Sequence, residues 1–132
     1  MIPVVFINCK SVPYIELIMA GKKKYETRTR NTLKTLTGKR VLIAETGKGK
    51  PVVKCSARIE KAIVIDTRKT WNTYRKTTCV PKNGKHDWTP KTKVKYLYEL
   101  KNVIPVPEFI PKNGKRHGRT WMEYNGKEGI EQ

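Results

Sequence analysis

Apolar positions in the first part of the chain follow a pattern that predicts a strand and then a helix. Residues 4–8 form a short apolar run, which is typical of a buried strand. Pro13 then suits the first turn of a helix, and four apolar residues at positions 14, 15, 17 and 18 form a helical stripe. Gly21 is a typical residue after a helix end. The sequence therefore predicts a strand followed by a helix that ends near Gly21.

Residues 24–30 alternate with a period of two, which predicts a second strand. One face would carry Tyr25, Thr27 and Thr29, and the other would carry Lys24, Glu26, Arg28 and Arg30. The first face is aromatic and β-branched, whereas the second is charged. Glu26 and Arg28 are therefore expected to point to the same side.

The rest of the chain is predicted to be mostly strand. Gly and Pro at residues 47–51 interrupt the pattern, as these residue types do in loops. The predicted elements are a strand at 40–45, a long bent strand at 52–66, a short helix at 67–74, an extended loop at 77–93, and strands at 94–100 and 121–124. Strands that dominate a chain with two short helices indicate an α+β fold, here a small barrel crossed by the long bent strand.

The net charge of the chain indicates which class of molecule it binds. The 132 residues include 29 Lys and Arg against 11 Asp and Glu, a formal net charge of +18. Solubility is served by a much smaller net charge, so the excess favours a polyanionic partner. We expect that partner to be a nucleic acid.

Other classes are disfavoured. The apolar runs are far shorter than the ~20 residues of a spanning helix, and no basic amphipathic helix or lipid anchor is evident, so we expect a cytoplasmic protein without a membrane partner. Cys9, Cys55 and Cys79 are odd in number and widely spaced. With only His86 and His117 beside them, they do not form a zinc pattern. We expect no metal and no cofactor.

A five-residue sequence, Pro-Lys-Asn-Gly-Lys, occurs at 81–85 and again at 111–115, each time followed by a His and a Trp. One interpretation is two turns that use Asn-Gly for positive φ angles. The other is that both turns face one bound strand. Lys85 and Lys115 would then hold phosphates while Trp88 and Trp121 stack on bases.

Residues 21–28, Gly-Lys-Lys-Lys-Tyr-Glu-Thr-Arg, match the pattern G-x-K-x-x-E-x-R, the signature of ASCH domains. The motif follows a strand and a helix with a Leu-Ile-Met run, as in that family. The stretch around residues 98–103, the prolines after it and Trp121 also resemble the family's closing strand and ending. The resemblance implies a single ASCH domain over 1–132, a small PUA-like β-barrel flanked by short helices, with a cleft that binds RNA or a modified nucleotide.

The resemblance also implies a site. Lys23, at the turn from helix to strand, would meet a phosphate as a point charge, and the planar fork of Arg28 would bind a phosphate or a base edge. Glu26 would orient Arg28 or accept a hydrogen bond from a base amino group, or it is a structural ion-pair partner. The basic rim would include Lys22, Lys24 and Arg30, with Tyr25 on a wall.

Catalysis is a second possibility. Some members of the family are described as ribonucleases, and small bacterial relatives hydrolyse the acetyl amide of a modified cytidine. In the latter a Thr stands where this chain has Glu26, which puts that activity in doubt here. Metal-independent RNA cleavage could use Lys23 and Glu26 as acid and base, with His86 and His117 as further candidates. A third possibility is a protein-interaction domain in a regulatory assembly, because related domains occur in transcription coactivators.

Overall fold

The computed structural model describes residues 1–126, so the last six residues of the predicted domain lie outside it. The described elements are β1 (Ile2–Asn8), α1 (Tyr14–Met19), β2 (Tyr25–Arg28), a 3-10 turn (Lys34–Leu36), β3 (Arg40–Thr46), β4 (Val52–Ile59), β5 (Ile63–Ile65), α2 (Arg68–Thr78), β6 (Lys95–Phe109), β7 (Gly114–His117) and β8 (Trp121–Tyr124). Within this range, no helix has the length and apolar content needed to cross a membrane.

The strands form one curled sheet, which has the shape of a half barrel. Its order is β2-β6-β4-β3-β1-β8-β7, and β5 pairs with β6 off this path. β1 and β3 run parallel, whereas the other described pairs are antiparallel. With α1 and α2 beside the sheet, the predicted α+β fold, a barrel-like sheet flanked by short helices, is confirmed.

β1 is apolar without alternation because both of its faces are covered. Val5 and Ile7 pack in a core with α1 residues such as Ile15. Val4 and Phe6 pack on the other side, in a second core with residues of β3, β4 and β8. A strand buried on both faces needs apolar residues at consecutive positions. β1 is therefore fixed at the centre of the fold, and its end can position a site.

The predicted bent strand at 52–66 is wrong in one respect, because the chain forms two strands there. β4 ends at Ile59 and β5 begins at Ile63, and both pair with β6. The bend is sharp enough that the two halves join different parts of β6, β4 from Leu100 onwards and β5 at residues 95–97. Continuous alternation in the sequence conceals such a break, since both halves are half-buried.

Three other elements differ from the prediction, because two are longer than expected and one is not predicted at all. β6 continues to Phe109 rather than ending at residue 100, and it tolerates Pro105 because its pairing with β4 is irregular there. α2 runs to Thr78 and begins after Thr67, the hydroxyl of which accepts the Thr70 N–H at 3.1 Å. β7, inside the second copy of the repeated sequence, was not predicted.

Candidate nucleic-acid interface

A cavity of about 510 Å³ opens where β1 and β3 end. These strands run parallel, so the chain leaves both at the same edge of the sheet, which is where ligands bind in many folds with parallel strands. The wall at this edge includes Asn8, Thr46 and the loop residues Gly47 and Gly49. β2 and the β7–β8 hairpin complete the cavity.

Lys23 lies on the cavity wall, but its ammonium group is already bound. Only 2% of the residue is exposed, and Nζ donates hydrogen bonds to the carbonyls of Tyr25 and Thr78, each at 2.8 Å. Nζ also lies 3.4 Å from Glu26 Oε1 and 4.6 Å from the centre of the Tyr14 ring. Burial lowers the pKa of Lys23, and the Glu26 charge opposes that shift. The predicted role of Lys23 as a free phosphate contact does not fit these bonds.

Glu26 and Arg28 form the second part of this cluster. Arg28 Nη2 lies 2.9 Å from Glu26 Oε2 and donates to the carbonyl of Phe6 at 2.7 Å. The expectation that the two side chains share a face is therefore confirmed. Glu26 is held between two cations, and it orients the guanidinium of Arg28. The buried Arg28 Nε has no partner within residues 1–126.

Two further arginines line the cavity and were missed in the sequence. Arg116 lies on β7, with its guanidinium carbon 4.9 Å from the centre of the Phe6 ring, and Arg119 lies in the turn before β8. Both are exposed, and neither forms an ion pair with a carboxylate of the described chain. The dense basic run directly after the second repeated sequence is the signal that would have indicated them.

The aromatic wall comes from Tyr14 and Phe6 rather than from the predicted rings. Tyr14 is the first residue of α1 and is half-buried. The sequence pattern places Tyr14 in the apolar stripe of that helix. Its hydroxyl, which a plain core position does not need, is the only feature of the sequence that pointed elsewhere.

His86 reaches the cavity from the loop between α2 and β6. Lys95, itself buried, donates from Nζ to the His86 carbonyl at 2.7 Å. Next in the chain, Asp87 accepts hydrogen bonds from Trp71 Nε1 at 2.7 Å and from the backbone N–H groups of Asn83 and Trp88. Burial and the neighbouring lysine charges lower the pKa of His86, so the imidazole is neutral near pH 7.

The predicted stacking residues lie elsewhere. Trp88 is 7% exposed and packs in a third core with Trp71, so its ring cannot stack on a base. Trp121 is half-buried, and its ring stacks on His117 at a centroid distance of 4.0 Å. Tyr25 packs edge-on against Tyr74 at 5.3 Å. None of the three predicted rings is part of the cavity wall.

The predicted basic rim, formed by Lys22, Lys24 and Arg30, is exposed but outside the cavity wall. The same holds for Lys85 and Lys115 of the two repeated sequences. The two repeated sequences do approach the cavity, through His86 after the first and Arg116 after the second. His117 pairs with Glu123 at 3.2 Å instead of facing the cavity. The five lysines and arginines remain predictions for a wider surface.

The cysteines do not contribute to the site. Cys9 and Cys55 are buried, and burial raises the pKa of Cys55 to about 11. Across residues 1–126, no three His, Cys, Asp or Glu side chains come together in a way that could hold a metal ion. The charged and aromatic groups of the cavity wall are therefore three arginines, one lysine, one carboxylate, two aromatic rings and a histidine.

Comparison with known proteins places the fold. No family model and no curated protein matches the sequence. Among solved structures, the ASCH protein from Zymomonas mobilis superposes with a TM-score of 0.73 at 18% identity, over 98% of this chain and 90% of that one. Two variants of that protein, Ser to Ala and Tyr to Phe, each match with a TM-score of 0.72 at 19% identity, over 98% of this chain and 91% and 93% of theirs. The chain therefore has the fold of an ASCH-type domain, as the motif at residues 21–28 predicts.

Proposed function

We propose that the protein binds single-stranded or modified RNA and takes one nucleotide of it into the cavity. The observation that carries this proposal is the composition of the wall. Four cationic side chains and the half-buried ring of Tyr14 line it, against one carboxylate from the described residues, while the ring of Phe6 is 4% exposed and holds Arg116. Cationic groups attract phosphates and aromatic faces accept bases, a combination typical of proteins that bind single strands.

The size of the cavity also supports this function. Pockets for small ligands have volumes of roughly 300–1,000 Å³, and 510 Å³ falls within that range. A duplex is far too wide for such a space. A single base can enter only when it is unpaired, so the cavity favours loops, ends or unstacked bases.

Tyr14 provides the most direct test, because its ring lines the cavity and its side chain is half-buried. Binding of a fluorescent eight-nucleotide single-stranded RNA with a 5′-hydroxyl end is measured by anisotropy. Loss of one stacking platform weakens binding by roughly 1–3 kcal/mol, so Tyr14→Ala should reduce affinity about tenfold or more. Tyr14→Phe keeps the ring and should bind like the wild type.

The matched control is Tyr74→Ala. Tyr74 lies on α2 and contacts Tyr25, outside the cavity wall. Circular dichroism establishes that each variant is folded. Equal loss of affinity in Tyr14→Ala and Tyr74→Ala, or no RNA binding by the folded wild type, would contradict the proposal.

A second candidate function is hydrolysis of the bound RNA, favoured by one observation. His86 faces the cavity with a lowered pKa, and a neutral imidazole can accept a proton from a 2′-hydroxyl group. Lys23 is a poorer candidate, because its N–H groups already bind two carbonyls and Glu26.

Denaturing gels of the same RNA, incubated with a chelator, separate the two functions. Intact RNA after binding identifies a binding module. Cleavage that His86→Gln abolishes, while His117→Gln leaves it unchanged, would identify an enzyme. His117 is a suitable control because its imidazole stacks on Trp121 and pairs with Glu123, away from the cavity wall.

A further inference from the structure

The charges around the cavity divide into two groups. Lys23 and Arg28 both contact Glu26, so their charges are partly compensated within the wall. Arg116 and Arg119 also line the cavity but have no carboxylate partner within residues 1–126. Two uncompensated guanidinium groups therefore come from one hairpin.

The hairpin that carries these arginines is fixed to the rest of the fold. β8 pairs with β1, and the Phe6 N–H donates to the Thr120 carbonyl at 3.0 Å, so the turn is tied to the strand that forms the cavity edge. The face of the Phe6 ring holds the Arg116 guanidinium at 4.9 Å. The hairpin is also packed too tightly for a side chain at Gly114, where a Cβ would lie 2.0 Å from the Glu123 carbonyl oxygen. The two cations are thus presented by a rigid element.

The loop after β3 adds a second basic segment. Gly47 and Gly49 are part of the wall, and Lys48 and Lys50 beside them are exposed. A Cβ on Gly49 would meet nothing within 4 Å, so its backbone faces open space. A bare backbone of this kind lets an anion approach main-chain N–H groups closely.

We propose that Arg116 and Arg119, which line the same cavity as Gly47 and Gly49, bind a terminal phosphomonoester of the nucleotide in the cavity. This inference rests on the proposal that the cavity takes an RNA nucleotide. A phosphomonoester carries about −1.5 to −2 at pH 7, which matches two unpaired guanidinium groups, whereas an internal phosphodiester carries a single charge. Arginine also matches the geometry of phosphate oxygens with paired N–H groups. The ligand is therefore a chain end or a mononucleotide rather than the middle of a strand.

The test compares four probes by isothermal titration calorimetry. They are mixed-sequence RNA trinucleotides with a 5′-phosphate, with a 3′-phosphate or with two hydroxyl ends, and the mixed nucleoside 5′-monophosphates. Hydrogen bonds to charged groups contribute enough that the phosphate should raise affinity at least about tenfold. A larger gain in affinity for the 5′-phosphate or for the 3′-phosphate identifies which terminus is bound. If the monophosphates bind as tightly as the phosphate-ended trinucleotide, the ligand is a free nucleotide.

Variants test whether the gain in affinity from the phosphate arises from the hairpin. Arg116→Ala and Arg119→Ala should each weaken binding of the phosphate-ended RNA about tenfold more than binding of the hydroxyl-ended RNA, so that most of the phosphate gain is lost. The control is Lys39→Ala, which removes one exposed charge just before β3, roughly 23 Å from the cavity loop at ~3.3 Å per residue. Lys39→Ala should keep the full gain.

The outcomes separate this inference from the proposed function. If hydroxyl-ended RNA binds the wild type and a terminal phosphate adds nothing, the phosphate site is wrong and RNA binding stands. A gain that Lys39→Ala reduces as much as Arg116→Ala does would reflect net charge alone, and it would also overturn the site. If no RNA binds but the monophosphates bind through Arg116, the phosphate site stands and RNA is the wrong ligand.

Discussion

At the scale of single residues, the cavity is organised by one carboxylate. Glu26 is 7% exposed and contacts both Lys23 and Arg28. A buried ammonium group is costly unless it is paired, and Lys23 has Glu26 as its only carboxylate partner in the described chain. The fold therefore depends on a charge that also belongs to the candidate site.

We expect Glu26→Gln to destabilise the protein. The substitution leaves the buried Lys23 and the partly buried Arg28 without their carboxylate partner, and breaking a buried pair costs about 3 kcal/mol. Urea unfolding followed by circular dichroism measures the change in the free energy of unfolding. Glu60→Gln is the matched control, because Glu60 pairs with Arg58 at the surface and should matter by less than about 1 kcal/mol. Equal, small changes in both variants would contradict this role for Glu26.

At the scale of elements, the loop between α2 and β6 depends on Asp87 and Lys95. Asp87 binds Trp71 of α2 and two N–H groups of its own loop, and Lys95 of β6 binds the His86 carbonyl. Both side chains are buried. The loop is thus joined to the elements before and after it, and this arrangement places His86 at the cavity.

We expect Asp87→Asn to loosen this loop and to remove part of the acid sensitivity of the protein. Burial raises the pKa of Asp87, but the hydrogen bonds from Asn83, Trp71 and Trp88 outweigh it and leave the pKa below 3.8. Stability from Asp87 is then fully present above pH 3.8 and is lost as the pH falls through the lower folded-state value. An amide cannot replace all three bonds, so the free energy of unfolding near pH 7 should fall by about 2 kcal/mol.

Urea unfolding at several pH values between 2.5 and 7 measures both effects. Asp66→Asn is the control, since Asp66 is exposed and forms no ion pair in the described residues. It should change stability by less than about 0.5 kcal/mol. If Asp87→Asn loses stability below pH 4 as steeply as the wild type, the acid sensitivity arises from other carboxylates.

The elements also show how far sequence reasoning reaches. Periodicity located β2 and both faces of it, because alternation survives wherever one face is polar. The same periodicity predicted one strand where β4 ends at Ile59 and β5 begins at Ile63. It also did not predict the Pro-containing second half of β6. In the candidate site, the motif identified Glu26 and Arg28. For Arg116, Arg119 and Tyr14 the sequence offers only weak signals, a basic run and one hydroxyl group, because the pairing of β8 with β1 and the position of α1 decide that they face the cavity.

At the scale of the whole molecule, we expect the net charge of +18 to dominate the proposed encounter with RNA. Exposed lysines outside the cavity, such as Lys22 and Lys24, would add to the attraction without contacting a nucleotide inside it. Such attraction arises from release of counterions and depends on salt rather than on sequence. Binding of a nucleotide inside the cavity and nonspecific attraction to the RNA backbone should therefore respond differently to ionic strength.

We expect RNA affinity to fall steeply with salt. If about four phosphates are neutralised, raising the salt concentration from 50 to 200 mM should weaken binding to a single strand about 50-fold. Anisotropy titrations at four salt concentrations give the slope. The control is the same sequence with a neutral methylphosphonate backbone, for which the slope should be near zero. A flat response with natural RNA would mean that base contacts alone determine the affinity.

The bond from Arg28 to the Phe6 carbonyl has a mechanical consequence. β2 and β1 are separated in the sheet by β6, β4 and β3, yet this one hydrogen bond of 2.7 Å joins them directly. Because Arg28 also lines the cavity, an anion that drew the guanidinium towards itself would compete with the Phe6 carbonyl for this donor. Binding of such an anion would therefore weaken a direct link between two strands that are not neighbours in the sheet.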